Sequence, residues 1–456
     1  MRIKKNKFKL IALSTILLIF FVIFSLWNLI SDGYDKQNKL TLFLKEVIPT
    51  KIARDIRDSF FIIPTLKNEN EYLKRIVKKY DQLYEGTLIQ KIEINSENNN
   101  YNFDLKEFYI PFKRIDLLEG WSSEKNNRSK HYLDIIGNDI FLMSGQGETI
   151  FFEKDKIQNE KLNYKIIENN INNILKEKNY ISGGIRDIHY NDGDIYISLL
   201  FKDKKGYSMD IYNAKFNKNY LNFDIFFKTN TYWDKYTVRQ GGRIETYKNN
   251  QILLTVGDVT YRDKVQSDDN LYGKIISIDK SNKSFKILSK GHRNQQGLFY
   301  DEDRKYLLST EHGPNGGDEI NLIDISLGDK IQNFGWDISS YGEHYSGGEN
   351  LPKLKKSHSD FGFIEPLKYF VPSIAIQDLK KIQINNSSLY VLSALGSNPE
   401  EGDLSLHFFD LVDKKYIAKD IVNINQRIRD LSYDKKNKKI LLVLENPTSI
   451  ASIDLK

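Results

Sequence analysis

Residues 291–322 read GHRNQQGLFYDEDRKYLLSTEHGPNGGDEINL and are the most informative part of this chain. They hold two polar clusters, Gly291–Gly297 and Glu311–Glu319, on either side of one strand-like segment, Lys305–Ser309. Each cluster mixes glycines with charged and amide groups. Glycine lets the backbone turn sharply and come close to a ligand, and arginine offers a rigid fork of donors for planar carboxylates. We expect these two loops, on successive strands, to face each other across one end of a sheet.

This stretch resembles the signature of the soluble quinoprotein glucose dehydrogenases and aldose sugar dehydrogenases. The resemblance extends over about residues 175–456, and more loosely over 90–175. It implies a six-bladed β-propeller that binds pyrroloquinoline quinone (PQQ) and a calcium ion at its central channel. It also implies an oxidoreductase that oxidises a sugar at C1.

The residue pattern from about Gly86 onward agrees with an all-β fold. Short runs rich in Ile, Tyr, Phe and Val alternate with turn residues, and Asn191-Asp192-Gly193 is typical of a hairpin turn. Strands that recur every 8 to 15 residues over some 360 residues indicate a repeat fold rather than a sandwich. The number of blades, six, comes from the resemblance alone.

The N-terminus predicts a membrane anchor. Leu10–Ile30 has 21 residues without a charge, about the length that spans a bilayer core. Five bases precede it, which favours a cytoplasmic N-terminus. A buried core helix is disfavoured because the stretch is terminal and apolar on all sides. A cleaved signal peptide stays open as an alternative, although no small-x-small cleavage pattern follows.

The predicted organisation is therefore an anchor at 1–32, a helical stalk at 33–88 and the propeller at 89–456. Leu40–Ile48 and Glu71–Gly86 have the helical spacing that suggests the stalk. The propeller would lie in the periplasm, with the anchor crossing the bacterial inner membrane once. The absence of cysteine fits this place, because a domain this large needs no disulfides. A sugar or other small substrate and a periplasmic electron acceptor are the expected partners.

Nucleic acid is not an expected partner. The formal net charge is +6, and removing the five N-terminal bases leaves +1 for the rest of the chain. Nucleic-acid-binding proteins usually present a basic face.

The resemblance implies cofactor ligands in three segments. Arg293, Asn294 and Gln296 match the family's PQQ-binding positions, and Arg427 and Arg429 form a third match. PQQ carries three carboxylates and an ortho-quinone, so arginine forks and amides are suitable partners. Arg427 and Arg429 alternate, so on a strand they share a face, and an anion between them would relieve their repulsion.

The same resemblance implies that the backbone carbonyls of Gly313 and Pro314 bind calcium, a hard cation that prefers oxygen ligands. Asp318 and Glu319 follow closely. They either bind an additional ion or brace the loop through hydrogen bonds.

Several departures from the family pattern bear on activity. Arg239 stands where the family has its catalytic histidine, and arginine cannot accept a proton near neutral pH. Asp258 matches the aspartate that supports this histidine. A family lysine is absent from Ser393–Gly396, and Ser182 replaces a substrate-facing glutamine.

Two functions follow from this pattern. The first is a membrane-anchored, PQQ-dependent aldose dehydrogenase in which Asp258 serves as the base after desolvation raises its pKa. The second is a non-catalytic propeller that binds a ligand or partner on the same face. Arg239 favours the second function, and the retained arginines and amides favour the first.

Overall fold

The computed structural model describes residues 88–109, 130–137, 139–153, 164–178, 182–248, 250–345, 351–385, 387–396, 403–445 and 448–455. The predicted anchor, Leu10–Ile30, and residues 33–87 of the predicted stalk lie outside these residues. Within the described ranges, no helix is long and apolar enough to cross a membrane.

Twenty-seven strands in the described chain form six sheets, which are the blades of a β-propeller. Blade 1 consists of β3 (His131–Ile136), β4 (Asp139–Ser144), β5 (Thr149–Glu153), β6 (Lys165–Asn169) and β10 (Tyr220–Leu221). A short helix, α1 (Ile171–Glu177), follows β6. Blade 2 consists of β7 (Ser182–Asn191), β8 (Asp194–Asp203), β9 (Gly206–Lys215) and β11 (Asp224–Lys228).

The next two blades each have four or five strands, antiparallel except for the parallel pair of β15 and β19. Blade 3 consists of β12 (Gly241–Tyr247), β13 (Gln251–Val256), β14 (Lys274–Asp279), β15 (Phe285–Lys290) and β19 (Gln332–Asn333). Blade 4 consists of β16 (Gln295–Asp301), β17 (Tyr306–Glu311), β18 (Asp318–Asp324) and β20 (Lys368–Phe370). Short 3₁₀ turns lie between strands at Arg262–Lys264, Ile325–Leu327 and Ser359–Phe361.

Of the last two blades, blade 6 closes the ring because it combines strands from both ends of the described chain. Blade 5 consists of β21 (Ile376–Ile384), β22 (Ser387–Ala394), β23 (Ser405–Val412) and β24 (Lys415–Asn423). Blade 6 consists of β25 (Ile428–Asp434), β26 (Lys439–Leu444), β27 (Ser449–Asp454), β2 (Asn102–Tyr109) and β1 (Leu88–Asn95). Because β2 pairs with β27 across the whole chain, the first and last strands hold the ring together.

The core lies between the blades. Each of the six interfaces has its own cluster of buried side chains: blades 1–2, 2–3, 3–4, 4–5, 5–6 and 6–1. The inner strands β3, β7, β12, β16, β21 and β25 each contact the next around the channel. This arrangement confirms the predicted all-β, six-bladed propeller.

Local turn chemistry also matches the sequence. Asp192 and Gly193 connect β7 to β8, with φ angles of 50° and 84°. Two positive φ values in a two-residue loop are typical of a type I′ turn, which twists with its strands. The predicted hairpin at Asn191-Asp192-Gly193 is therefore confirmed.

Candidate functional site

The two polar clusters of residues 291–322 meet at one end of blade 4. The first cluster leads into β16 and the second follows β17, and Gln295 lies opposite Glu311 in the register of these strands. His312 N donates to the carbonyl of Asn294 at 3.0 Å, which joins the loops directly. The sequence-based expectation that the clusters face each other is confirmed.

Asp258 lies at the centre of the first part of the site and is fully buried. Its Oδ2 accepts from Arg239 Nη1 at 3.0 Å and from Trp336 Nε1 at 2.8 Å. Its Oδ1 accepts from the backbone N–H of Thr260 at 3.0 Å, and its own N–H donates to the carbonyl of Arg293. The carboxylate is thus ion-paired and hydrogen-bonded on both oxygens, an arrangement that fixes its position.

Arg293 belongs to the same group of side chains. Its guanidinium lies 5.5 Å from the ring centre of Trp336, and its Nη1 donates to the carbonyl of His312 at 2.8 Å. Burial lowers the pKa of Arg293, with Asp258 opposing and Arg239 reinforcing the shift. Its buried Nε forms no hydrogen bond within the described chain.

Arg427 and Arg429 share a buried carboxylate at the start of β25. Arg427 Nε donates to Glu445 Oε2 at 3.0 Å, and Arg429 Nε donates to Glu445 Oε1 at 2.6 Å. The anion expected between the two arginines is therefore supplied by the protein itself. The repulsion argument for a ligand at this pair does not hold, although Arg429 also reaches the pocket described below.

The loop that contains Gly313 and Pro314 is braced by acidic side chains. Asp318 Oδ1 accepts from Gly313 N at 3.0 Å, and its Oδ2 accepts from the N–H of Ile376 at 3.1 Å. A Cβ on Gly313 would lie 2.0 Å from the carbonyl oxygen of Gly317, so only glycine fits there. Of the two interpretations of Asp318, the structure shows the bracing role.

Glu319 is held by other side chains. Its Oε1 lies 3.4 Å from His358 Nε2, and its Oε2 accepts from Asn321 Nδ2 at 3.3 Å. Within the described ranges, no group of three or more His, Cys, Asp or Glu side chains is arranged to hold a metal. The predicted calcium ligands are backbone carbonyls, so that assignment stays a prediction.

A pocket opens at the mouth of the central channel, where the six inner strands begin. The empty space at this site, open solvent included, is about 320 Å³. The described residues that line it include four cations, four amides and three other groups: Lys130, Arg186, Arg243 and Arg429; Gln240, Gln295, Gln296 and Gln377; Tyr132, Val238 and Gly241. No carboxylate occurs among these lining residues.

Arg243, one of the lining residues, links three inner strands. Its Nη1 donates to Asp187 Oδ1 and to Asp430 Oδ1, both at 2.9 Å. Burial raises the pKa of Asp187 to about 8, against the opposing effect of Arg243. Burial likewise raises the pKa of Asp430, again opposed by Arg243. A carboxylate that is protonated near neutral pH leaves more positive charge around the pocket.

The structure divides the predicted cofactor ligands into two groups. Gln296 and Arg429 line the pocket, and Asn294 Oδ1 accepts from Gln296 Nε2 at 2.9 Å and so positions it. Arg293 and Arg427 are not part of the lining. The first lies beside Asp258, and the second lies at Glu445.

Sequence reasoning missed Lys130, Arg186, Gln377 and Glu445. Single lysines carry little information in a chain this rich in lysine, and Gln377 and Glu445 lie in segments without a glycine-rich cluster. Arg186 follows the Gly183-Gly184 pair in β7, but only the fold directs it to the channel. Of the noted departures, Ser182 begins β7, and Ser393 Oγ donates to the carbonyl of Asp378 at 3.2 Å inside blade 5.

Comparison with known proteins places this geometry in a family. The profile of the Glucose / Sorbosone dehydrogenase family matches residues 156–451. The aldose sugar dehydrogenase YliI of Escherichia coli (strain K12) is 30% identical over 152 residues, covering 30% of this chain and 39% of that protein. Quinoprotein glucose dehydrogenase B of Acinetobacter calcoaceticus is 34% identical over 127 residues, covering 21% and 25%. The matched segments thus span less than half of these relatives.

Solved structures share the fold over a longer range. The apo-form of the soluble aldose sugar dehydrogenase from Escherichia coli has a TM-score of 0.56 at 17% identity, covering 72% of this chain and 96% of that one. The PQQ-bound aldose sugar dehydrogenase from Streptomyces coelicolor has a TM-score of 0.52 at 18% identity, covering 73% and 95%. With the family profile matched over most of the propeller, the chain belongs to the Glucose / Sorbosone dehydrogenase family.

Proposed function

We propose that this protein is a PQQ-dependent dehydrogenase that oxidises an aldose at C1. The observation that carries the proposal is the lining of the pocket, in which four cations and four amides surround a space without any carboxylate from the described chain. Membership of a family of sugar oxidoreductases supports the general kind of chemistry.

The lining of the pocket fits PQQ in its chemistry. Arg429 and Gln296 would hold the carboxylates and the polar edge of the cofactor, with Asn294 keeping Gln296 in place. The Oε1 of Gln295 is buried and accepts no hydrogen bond from the described chain. PQQ supplies an acceptor for the hydride of an alcohol when it is bound.

Calcium is the second proposed cofactor. Gly313 and Pro314 are both buried, and no hydrogen bond to either carbonyl oxygen is formed in the described chain. Oxygen ligands of this kind suit calcium. When bound, the ion would supply positive charge at this loop.

The protein's own residues would bind and orient the sugar more readily than they would remove its proton. Arg239 occupies the base position as a permanent cation, held by Asp258 at 3.0 Å. Asp258 is already paired on both oxygens, so this geometry favours a positioning role for it over the role of base. Wild-type turnover should therefore be slow.

The Arg239–Asp258 pair also supports a second candidate function. A propeller that keeps its ligand pocket while an ion pair fills the base position could bind without turnover. Fold and family do not decide between the two functions, because the same fold hosts many activities.

Calorimetry with PQQ tests the cofactor proposal. Wild-type full-length protein should bind PQQ in a calcium-dependent manner. Arg429→Ala should weaken binding by about 1.5–3 kcal/mol, the range for a hydrogen bond to a charged group. Arg304→Ala is the control, because Arg304 contacts Tyr390 and Asp410 of blade 5 and does not line the pocket. A wild type without calcium-dependent PQQ binding would end the dehydrogenase proposal.

We also propose that the chain is anchored in the bacterial inner membrane by Leu10–Ile30, with the propeller in the periplasm. The uncharged stretch and the five preceding bases support this proposal. A periplasmic electron acceptor would then reoxidise the cofactor.

Cell fractionation tests the anchor. Membrane fractions should contain the full-length chain, and protease added to spheroplasts should digest the propeller. Replacing three of the apolar residues in Leu10–Ile30 with lysine should abolish membrane retention, because each charge at the centre of a span costs about 2.5–3.5 kcal/mol. A soluble mature protein that starts after residue 31 would show instead that the stretch is a cleaved signal.

A further inference from the structure

Lys130 is a cation of the pocket that has no counter-charge of its own. It lies just before β3 and lines the pocket together with Arg186 and Arg429. Arg429 is paired with Glu445, and Arg243 with two aspartates. Within the described residues, the ammonium of Lys130 makes no hydrogen bond and no ion pair.

The surroundings of Lys130 oppose its charge. Burial lowers the pKa of Lys130 well below its ordinary value, and the nearby Arg186 and Arg429 lower it further. Glu445 acts in the opposite direction, but this carboxylate is already shared by Arg427 and Arg429. The pocket without ligand thus brings three basic side chains close together, and an incoming anion would stabilise the charged form of Lys130.

A purely structural explanation for Lys130 is less suitable. A lysine that only covers apolar surface directs its ammonium to bulk water. Lys130 instead lines a space with two buried arginines and Tyr132. The glutamine side chains around the same space can donate hydrogen bonds to an anion as well.

We infer that Lys130, Arg186 and Arg429 form an anion-binding triad that holds one carboxylate of a polycarboxylate ligand. The inference rests on the proposed function in one respect, because it takes PQQ as the polycarboxylate ligand. The triad joins residues of blades 1, 2 and 6, so it exists only in the closed ring.

Lys130→Met in the full-length protein separates a binding role from a structural one. Removing the repelled charge should raise the melting temperature of the protein without ligand. PQQ affinity should fall by about 10- to 100-fold, as expected for the loss of a hydrogen bond to a charged group. Lys130→Arg should keep the affinity within a few-fold. Lower stability with unchanged affinity would overturn the inference.

The matched control is Lys368→Met. Lys368 is another half-buried lysine, in β20, where burial lowers its pKa to about 8. It does not line the pocket, so its replacement should leave PQQ affinity unchanged. Affinity of the wild type should also fall as rising pH removes the proton of Lys130, and Lys130→Arg should abolish that fall.

A second anion distinguishes failure of the triad from failure of the proposed function. Citrate, a tricarboxylate, is compared with chloride at equal ionic strength by thermal shift. If the wild type binds no PQQ but citrate stabilises it more than Lys130→Met, the triad stands and the cofactor proposal fails. If neither PQQ nor citrate distinguishes the wild type from Lys130→Met, the triad is wrong.

Discussion

Replacing Arg239 with His is expected to raise the rate of aldose oxidation with PQQ, calcium and an artificial electron acceptor by about 10²- to 10⁴-fold, the usual contribution of general-base catalysis. Arginine cannot accept the substrate proton, whereas a neutral imidazole can. The gain depends on the proposed function, because the cofactor must be bound before a base matters.

The structure supports the placement of the new imidazole. The backbone of Arg239 packs directly on the Asp258 segment, since Val259 N donates to the carbonyl of Arg239 at 3.1 Å. A Cβ at Gly257 would lie 2.3 Å from that same carbonyl oxygen. Even a side chain shorter than arginine would therefore start close to the Asp258 carboxylate, which Trp336 already holds in position.

The charges around the new histidine set its pH dependence. Arg262 and Arg293 both interact electrostatically with position 239, and such cations lower the pKa of an imidazole. Asp258 acts in the opposite direction. Because the base must be neutral to accept a proton, the rate of the variant should fall as the pH drops below the pKa of the imidazole.

Two further variants serve as controls for Arg239→His. Arg239→Gln removes the cation without adding a base, so it should not raise the rate. Asp258→Asn in the Arg239→His background should remove the gain, because the imidazole loses its orienting partner. Rapid turnover by the wild type would show that another base is present. A variant that binds PQQ and remains inert would favour the non-catalytic propeller.

Replacing Glu445 with Gln is expected to lower the free energy of unfolding by about 3–5 kcal/mol, the range for breaking a buried ion pair. Glu445 is the shared counter-charge of Arg427 and Arg429. The exposed fractions of these three side chains are 2%, 4% and 9%, respectively. The variant would leave two buried guanidinium groups without their counter-charge. Asp329→Asn is the matched control: its ion pair with Lys286 is exposed, and such pairs contribute about 0–1 kcal/mol.

Acid should diminish the effect of Glu445→Gln. Burial on its own would raise the pKa of Glu445, but Arg429 and Arg427 outweigh it, and the pKa is lowered from its ordinary 4.5. A carboxyl with a lowered folded pKa stabilises the protein fully above the unfolded pKa, and this contribution is lost as pH falls through the folded pKa. Chemical denaturation should show the two proteins converging below about pH 4.5. Equal stability at pH 7 would contradict the role of Glu445.

The Glu445 pair also shows why the candidate site was only partly predictable. The alternation of Arg427 and Arg429 correctly indicated two close cations with an anion between them. The anion, however, comes from the end of β26, on the neighbouring strand. A local sequence pattern indicates that a charged residue needs a counter-charge. It does not indicate whether a ligand or another part of the protein supplies that counter-charge.

Elements that depend on short-range chemistry followed from the sequence alone. Residues 291–322 specified two strands with facing polar loops, because glycine placement and strand alternation act over a few residues. The turn at Asp192-Gly193 followed for the same reason. Ring closure and the pocket are different, because β2 pairs with β27 more than 300 residues later. Lys130, Arg186 and Arg429 each look ordinary in sequence, and only the closing of six blades around one channel places them together.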